Sequence, residues 1–300
     1  MVKTCKGILL VLAIIFSQES MAQLYPNRLA NNLTLEAGAE MQSDNFRWSI
    51  AGNKNGEEPN VLSEVIYNPV KSAGFHIHAH YRAFKKFSIA GGFSKIYAYK
   101  GSATDFDYDG DDRTDPSVSL YLKSDKGDQS HLHGQVFYHL LENASWNVKA
   151  GGGYRMSKEL YYLLDDDDPS LKTTYLAKWK GPQLALATKW TSSFKLFVSA
   201  DFSYQFMRYD AEANWNNITN FQHPVSFIQF ANGRSWNLKG RLGYQFHDHF
   251  YVALDKLLER RKSDIGLDRL FMTDGSKPET RMNGAIKKSD GWRLSVGVNF

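Results

Sequence analysis

The stretch "DGWRLSVGVNF", Asp290 to Phe300, decides the fold. Trp292, Leu294, Val296, Val298 and Phe300 share one parity; Arg293, Ser295, Gly297 and Asn299 share the other. Side chains on a strand alternate between faces, so this segment has one oily face and one polar face. The pattern recurs upstream. In "SWNLKGRLGYQFH", Trp236, Leu238, Leu242, Tyr244 and Phe246 oppose Asn237, Lys239, Arg241, Gln245 and His247. In "KLFVSADFSYQF", Leu196, Val198, Ala200, Phe202, Tyr204 and Phe206 oppose Lys195, Ser199, Asp201, Ser203 and Gln205. Leu33, Leu35, Ala37, Ala39 and Met41 alternate against Thr34, Glu36, Gly38, Glu40 and Gln42.

A soluble sandwich would bury the oily faces against each other, whereas a transmembrane barrel turns them to lipid and keeps charge inside. Strand length, alternately short and long connections, and an aromatic-rich final strand all favour the barrel. The fold expected is all-β, a ten-stranded antiparallel transmembrane barrel. Its strands fall at about 31–51, 60–84, 86–101, 118–142, 144–164, 171–191, 193–211, 233–247, 249–263 and 288–300. The outer loops are then roughly 52–59, 102–117, 165–170, 212–232 and 264–287.

The N-terminus reads as an export signal. Lys3 and Lys6 precede the apolar run "GILLVLAIIF", and "SMA" ends the segment at Ala22. Residues 1–22 are therefore expected to be cleaved, leaving 23–300 as one barrel domain. Cys5, the single cysteine, leaves with the signal, which excludes disulfides and thiol chemistry. Losing Lys3, Lys6 and Glu19 moves the net charge from +4 to +3, too mild to imply nucleic acid. The expected location is the outer membrane of a Gram-negative cell. The expected partners are outer-membrane lipid, lipopolysaccharide and the barrel-assembly machinery.

The stretch "DFDYDGDDRTDPS", Asp105 to Ser117, invites a calcium reading through Asp105, Asp107, Asp109 and Asp111. The twelfth position, where a bidentate glutamate belongs, is Pro116, and no helices flank it. A hydrated acidic rim loop is the plainer reading, and "LLDDDDPS", Leu163 to Ser170, repeats the theme. Histidines crowd the inward parity: His76, His78, His80, His131, His133 and His139, with His247 further on. A polar lumen using imidazoles as hydrogen-bonding filler accounts for them; His-x-His also has the spacing of a zinc site.

With "WSIAG" (Trp48–Gly52), "PNVLSE" (Pro59–Glu64), "ANWN" (Ala213–Asn216) and this strand order, the chain resembles the omptins, ten-stranded outer-membrane proteases. It resembles still more the related Protochlamydia outer membrane protein type barrels. The omptin resemblance implies an Asp-x-Asp pair on the second loop facing an Asp–His pair on the fourth. Asp105 and Asp107 match the first pair. The opposite rim, "MRYDAEANWNN", offers Asp210 and Glu212 but Asn214, Trp215 and Asn216 where the histidine belongs; His223 comes later, before Pro224. The expected function is thus a structural or surface-interaction barrel. The alternatives are an omptin-like endopeptidase using Asp105, Asp107, Asp210 and Glu212, and a narrow channel. Inward Arg82, Arg155, Lys239, Arg241 and Arg293 against Glu36, Glu40, Glu64 and Asp201 suggest paired charges rather than open water.

Overall fold

The computed structural model describes residues 32–300, so the expected signal segment lies outside the described residues. The elements are β1 (Leu33–Ile50), β2 (Ser63–Phe84), β3 (Phe87–Tyr108), β4 (Pro116–Lys123), β5 (Gly127–Glu142) and β6 (Trp146–Leu164). There follow β7 (Lys172–Thr191), β8 (Leu196–Asn214), β9 (Phe227–Gln245), β10 (Phe250–Ser263), β11 (Gly266–Leu270) and β12 (Glu279–Asn299). All form one antiparallel sheet, and β1 pairs β12 from Thr34↔Asn299 to Ile50↔Met282, which closes the ring. β4 with β5, and β10 with β11, are single staves interrupted by short breaks, because each pair borders the same neighbours. The twelve segments therefore make the ten staves that the alternation predicts.

β2 and β3 each run 22 residues. At ~3.3 Å per residue and a tilt of ~40° they rise about 55 Å, roughly twice a ~25 Å lipid band. The lower half has the expected polarity. Leu132, Val136, Leu184, Leu186, Val198, Leu238, Leu242, Leu254, Leu294 and Val296 are exposed on the outside. Exposed Tyr97, Tyr154, Trp236 and Trp292 mark the top of this belt, where amphipathic rings favour the interface.

Above the belt the polarity inverts. Along β7 the apolar outward parity of Leu184 and Leu186 gives way, past Gly181–Pro182, to buried Trp179, Ala177 and Tyr175 on the inward parity. Lys178 and Lys180 then face out. β8 does the same, with Tyr209, Ala211 and Ala213 buried and Arg208, Asp210 and Glu212 outside. The upper lumen is consequently a conventional apolar core. Phe46, Trp48, Tyr67, Tyr161, Tyr175, Tyr209, Trp179, Trp215 and Phe227 pack within it.

This inversion corrects the loop boundaries. β3 continues to Tyr108, β8 to Asn214, β9 begins at Phe227 and β12 at Glu279, so more than half of the residues expected in outer loops two and five, and fewer than half of those in loop four, are strand. Extending the hairpins pairs backbone groups that a loop would leave to water.

Candidate functional site

The lumen is filled in three layers. Across its middle, Lys287 Nζ donates to Gln129 Oε1 at 2.7 Å and Glu159 Oε1 at 2.8 Å, with Asp44 Oδ2 at 3.3 Å. Gln129 Nε2 in turn donates to Asp44 Oδ2 at 2.5 Å. Arg261 reaches Glu159 Oε1 at 2.6 Å and Glu259 Oε2 at 2.8 Å, and Arg155 reaches Glu259 Oε1 at 3.1 Å. These residues come from β1, β5, β6, β10 and β12, so the network spans the ring. Lys287, Asp44 and Glu159 are each 0% exposed. Charges so enclosed persist only when paired and hydrogen-bonded, and here each has partners of opposite sign.

The aromatic layer caps this network. Phe46 and Tyr161 stack with centroids 5.1 Å apart, Trp48 and Tyr175 also at 5.1 Å, and Trp179 meets Tyr209 at 4.2 Å. Tyr175 Oη donates to Gln229 Oε1 at 2.6 Å, and Gln229 Nε2 donates to Asp268 Oδ1 at 2.9 Å. Burial pushes the Asp268 carboxyl up to about 6, against hydrogen bonds from Gln229 and Thr280.

Below the network lies a cavity of about 200 Å³. Arg241 bridges Glu36 (2.6 Å) and Asp255 (2.5 Å), Arg293 pairs Glu40 (2.9 Å), and Lys239 pairs Asp201 (2.7 Å). The pairs made by Glu36, Glu40 and Asp201 join charges expected on the inward parity; Asp255 was not among those charges, and Glu64 takes Arg113, at 2.8 Å. His76, His131 and His139 hydrogen-bond Ser295, Ser157 and Ser88 at 2.9–3.0 Å, while His78 and His133 stack at 5.9 Å over Gly92. His247 is not among them: β9 ends at Gln245, and His247 occupies the exposed turn before β10.

At the rim, Asp105 lies on β3 opposite Val65 and Leu120 and is buried. Burial, then the neighbouring Asp107 charge, raises its carboxyl to about 7, while a hydrogen bond from Trp215 opposes this. Burial also raises Asp107, against a hydrogen bond from Ser63. Asp210 and Glu212, expected across from them, face outward. Asp210 Oδ1 accepts from Arg208 Nε at 2.9 Å, and Glu212 pairs Lys178. The alternation that buries Tyr209, Ala211 and Ala213 forces this orientation, so the structure does not bring the four acids together. Asp109 is exposed, and Asp111 Oδ1 accepts from the Asn60 backbone at 2.6 Å. Among the described residues no three His, Cys, Asp or Glu side chains gather as a metal group requires. His223 hydrogen-bonds Asn214 at 2.9 Å.

The sequence reading missed Asp44, Glu159, Glu259, Arg261, Lys287 and Asp268. The signal was present in their parity, but ending strands at 263 and starting the last at 288 hid the register of Lys287 and Asp268.

Loosely similar solved structures are outer-membrane barrels. OprG from Pseudomonas aeruginosa is 8% identical, covering 90% of this chain and 96% of its own, at a TM-score of 0.38. The translocator domain of the autotransporter NalP from Neisseria meningitidis is 11% identical, covering 91% and 90%, at 0.41. The outer membrane protein AlkL in lipid bilayers is 11% identical, covering 93% and 97%, at 0.39. Likeness this loose transfers neither ligand nor activity. No curated protein matches the chain in sequence. The Protochlamydia outer membrane protein family model matches residues 147–300, more than half of the chain. With a closed antiparallel ring, a lipid-facing belt and this match, the chain belongs to the Protochlamydia outer membrane protein family and is an outer-membrane β-barrel.

Proposed function

We propose that this barrel is closed to solutes and acts through its extracellular rim, as a structural or surface-interaction protein. The observation that carries the reading is the enclosed network of Lys287, Asp44, Gln129, Glu159 and Arg261 across the lumen, with an aromatic core stacked above it. A conducting path would have to separate buried ion pairs and then displace Trp48, Tyr175 and Tyr209. Ten staves also leave little lumen to spare after side chains fill it. The omptin-like peptidase reading draws no support from Asp210 and Glu212, which are committed to cations on the outer face.

Planar bilayers holding the refolded barrel in concentrated KCl test the proposal. It expects an electrically silent membrane. Steady, discrete conductance steps would overturn it in favour of the narrow channel.

A further inference from the structure

One stave is left half-paired. β4 pairs β3 from Ser102↔Lys123 to Tyr108↔Pro116, yet toward β6 it makes a single pair, Lys123↔Leu164. Ser124 N donates to Gly101 O at 3.0 Å, which fixes the phase of the ladder. Val118, Leu120 and Leu122 therefore exchange bonds with β3, and Ser117, Ser119 and Tyr121 turn their N–H and C=O groups to the open side. No backbone bond from another element reaches these three. Tyr121 is 77% exposed.

The opening is built in. Gly127, at the joint between β4 and β5, has φ +114°, and a Cβ there would fall 2.0 Å from Leu160 O. Above this joint β4 and β6 part, and a cleft of about 550 Å³ lies between them, lined by Thr104, Tyr121, Leu164 and Asp165–Asp167. Natural edge strands are normally blunted by proline or inward charge, and 117–122 carries neither.

We infer that the free edge of β4 docks an extended basic peptide segment of another protein, which adds as a strand along Ser117–Tyr121. Charge selects the occupant. Asp165, Asp166 and Asp167 line the cleft at its lower end, next to the Lys123↔Leu164 pair, and Asp109, Asp111, Asp112 and Asp115 lie in the β3–β4 connection at the upper end. Nearby Lys123 already pairs Asp166, and Arg113 pairs Glu64. A second copy of this chain in the same membrane would set one aspartate loop against another, which like charge opposes. An added strand supplies the missing ladder bonds, and alternate lysines meet the aspartates.

The inference rests on the surface-interaction reading, and a peptide measurement tests it. The probe is a soluble ten-residue peptide of alternating lysine and threonine, titrated onto the refolded barrel by fluorescence anisotropy. Binding is expected, with slowed hydrogen exchange at the Ser117, Ser119 and Tyr121 amides. Backbone N-methylation of alternate probe residues should weaken binding about tenfold or more, as loss of two ladder bonds would. Replacing lysine by glutamate should abolish it. Ser119→Pro should match the N-methylation effect while keeping heat-modifiable migration, because its N–H faces no partner. Failure of the lysine probe to bind overturns the inference. So does equal binding of the N-methylated probe, which needs no variant and marks non-specific attraction to aspartates. An electrically silent barrel that ignores the probe sinks only the docking edge; conductance sinks only the closed-barrel reading.

Discussion

Replacing Lys287 by methionine tests whether the lumen is dry at its middle. Methionine keeps the length of the side chain and removes its charge. Three contacts go: Gln129 at 2.7 Å, Glu159 at 2.8 Å and Asp44 at 3.3 Å. Glu159 retains Arg261 at 2.6 Å. Asp44 is the group left exposed to the loss, since only Gln42 and Gln129 still donate to it. Removing one member of a buried ion pair typically costs ~3–5 kcal/mol, most of it from the stranded opposite charge. Lys287→Met should therefore lower stability by about that amount. Adding Asp44→Asn should recover about 2 kcal/mol, a coupling expected of residues in direct contact. Reversible urea unfolding of the refolded barrel in lipid vesicles, followed by tryptophan fluorescence, measures both; Trp48, Trp179 and Trp215 are buried reporters. A single-mutant loss below about 1 kcal/mol would refute the reasoning, because only a hydrated lumen could shield Asp44 so cheaply.

Asp105 should impose a pH slope. Its carboxyl rises to about 7 in the fold, above its ordinary 3.8. The fold binds a proton that the unfolded chain releases, so stability falls as pH rises from about 4 to about 7. The full gap is worth at most about 4 kcal/mol at pH 8, and Asp105→Asn should flatten it; parallel pH curves for the two proteins would sink the assignment. On the lipid face, Leu238→Arg should cost ~2–4 kcal/mol, while Thr104→Arg near the rim should cost close to nothing. Equal effects would place the lipid belt elsewhere. Gly127→Ala should cost ~1–3 kcal/mol in the same unfolding assay, since its φ and the Leu160 carbonyl leave no room. Gly240→Ala, where a Cβ meets nothing within 4 Å, serves as its control.

The lower barrel was legible because lipid outside and water-like polarity inside write opposite residue types on alternate positions. Leu294 and Val296 announce their face, and Glu36, Arg241 and Arg293 announce theirs. The upper barrel was not, because the same alternation continues there with its meaning reversed. Trp179 and Tyr209 look like lipid-facing residues until their parity is compared with that of Leu184 and Phe202. Asp210 and Glu212 were misplaced for this reason: the end of the strand and the start of the loop were read as a rim turned toward Asp105 and Asp107, whereas β8 runs on to Asn214 and fixes both acids outside. Asp105 and Asp107 stand out in the sequence only as part of an acidic run; their environment depends on Val65, Leu120 and Trp215, which meet only in three dimensions.

Ring closure has a temporal consequence. β1 needs β12 as a neighbour, and Thr34 Oγ1 meets Asn299 Oδ1 across 265 residues of chain. Every other junction is local, a hairpin or near-hairpin, and can form as soon as its two strands exist. The β1–β12 seam cannot. Until it zips, two long strand edges and a continuous apolar belt stand open at once, which is the state in which chains aggregate. The slow step of assembly should therefore be the meeting of the two terminal strands.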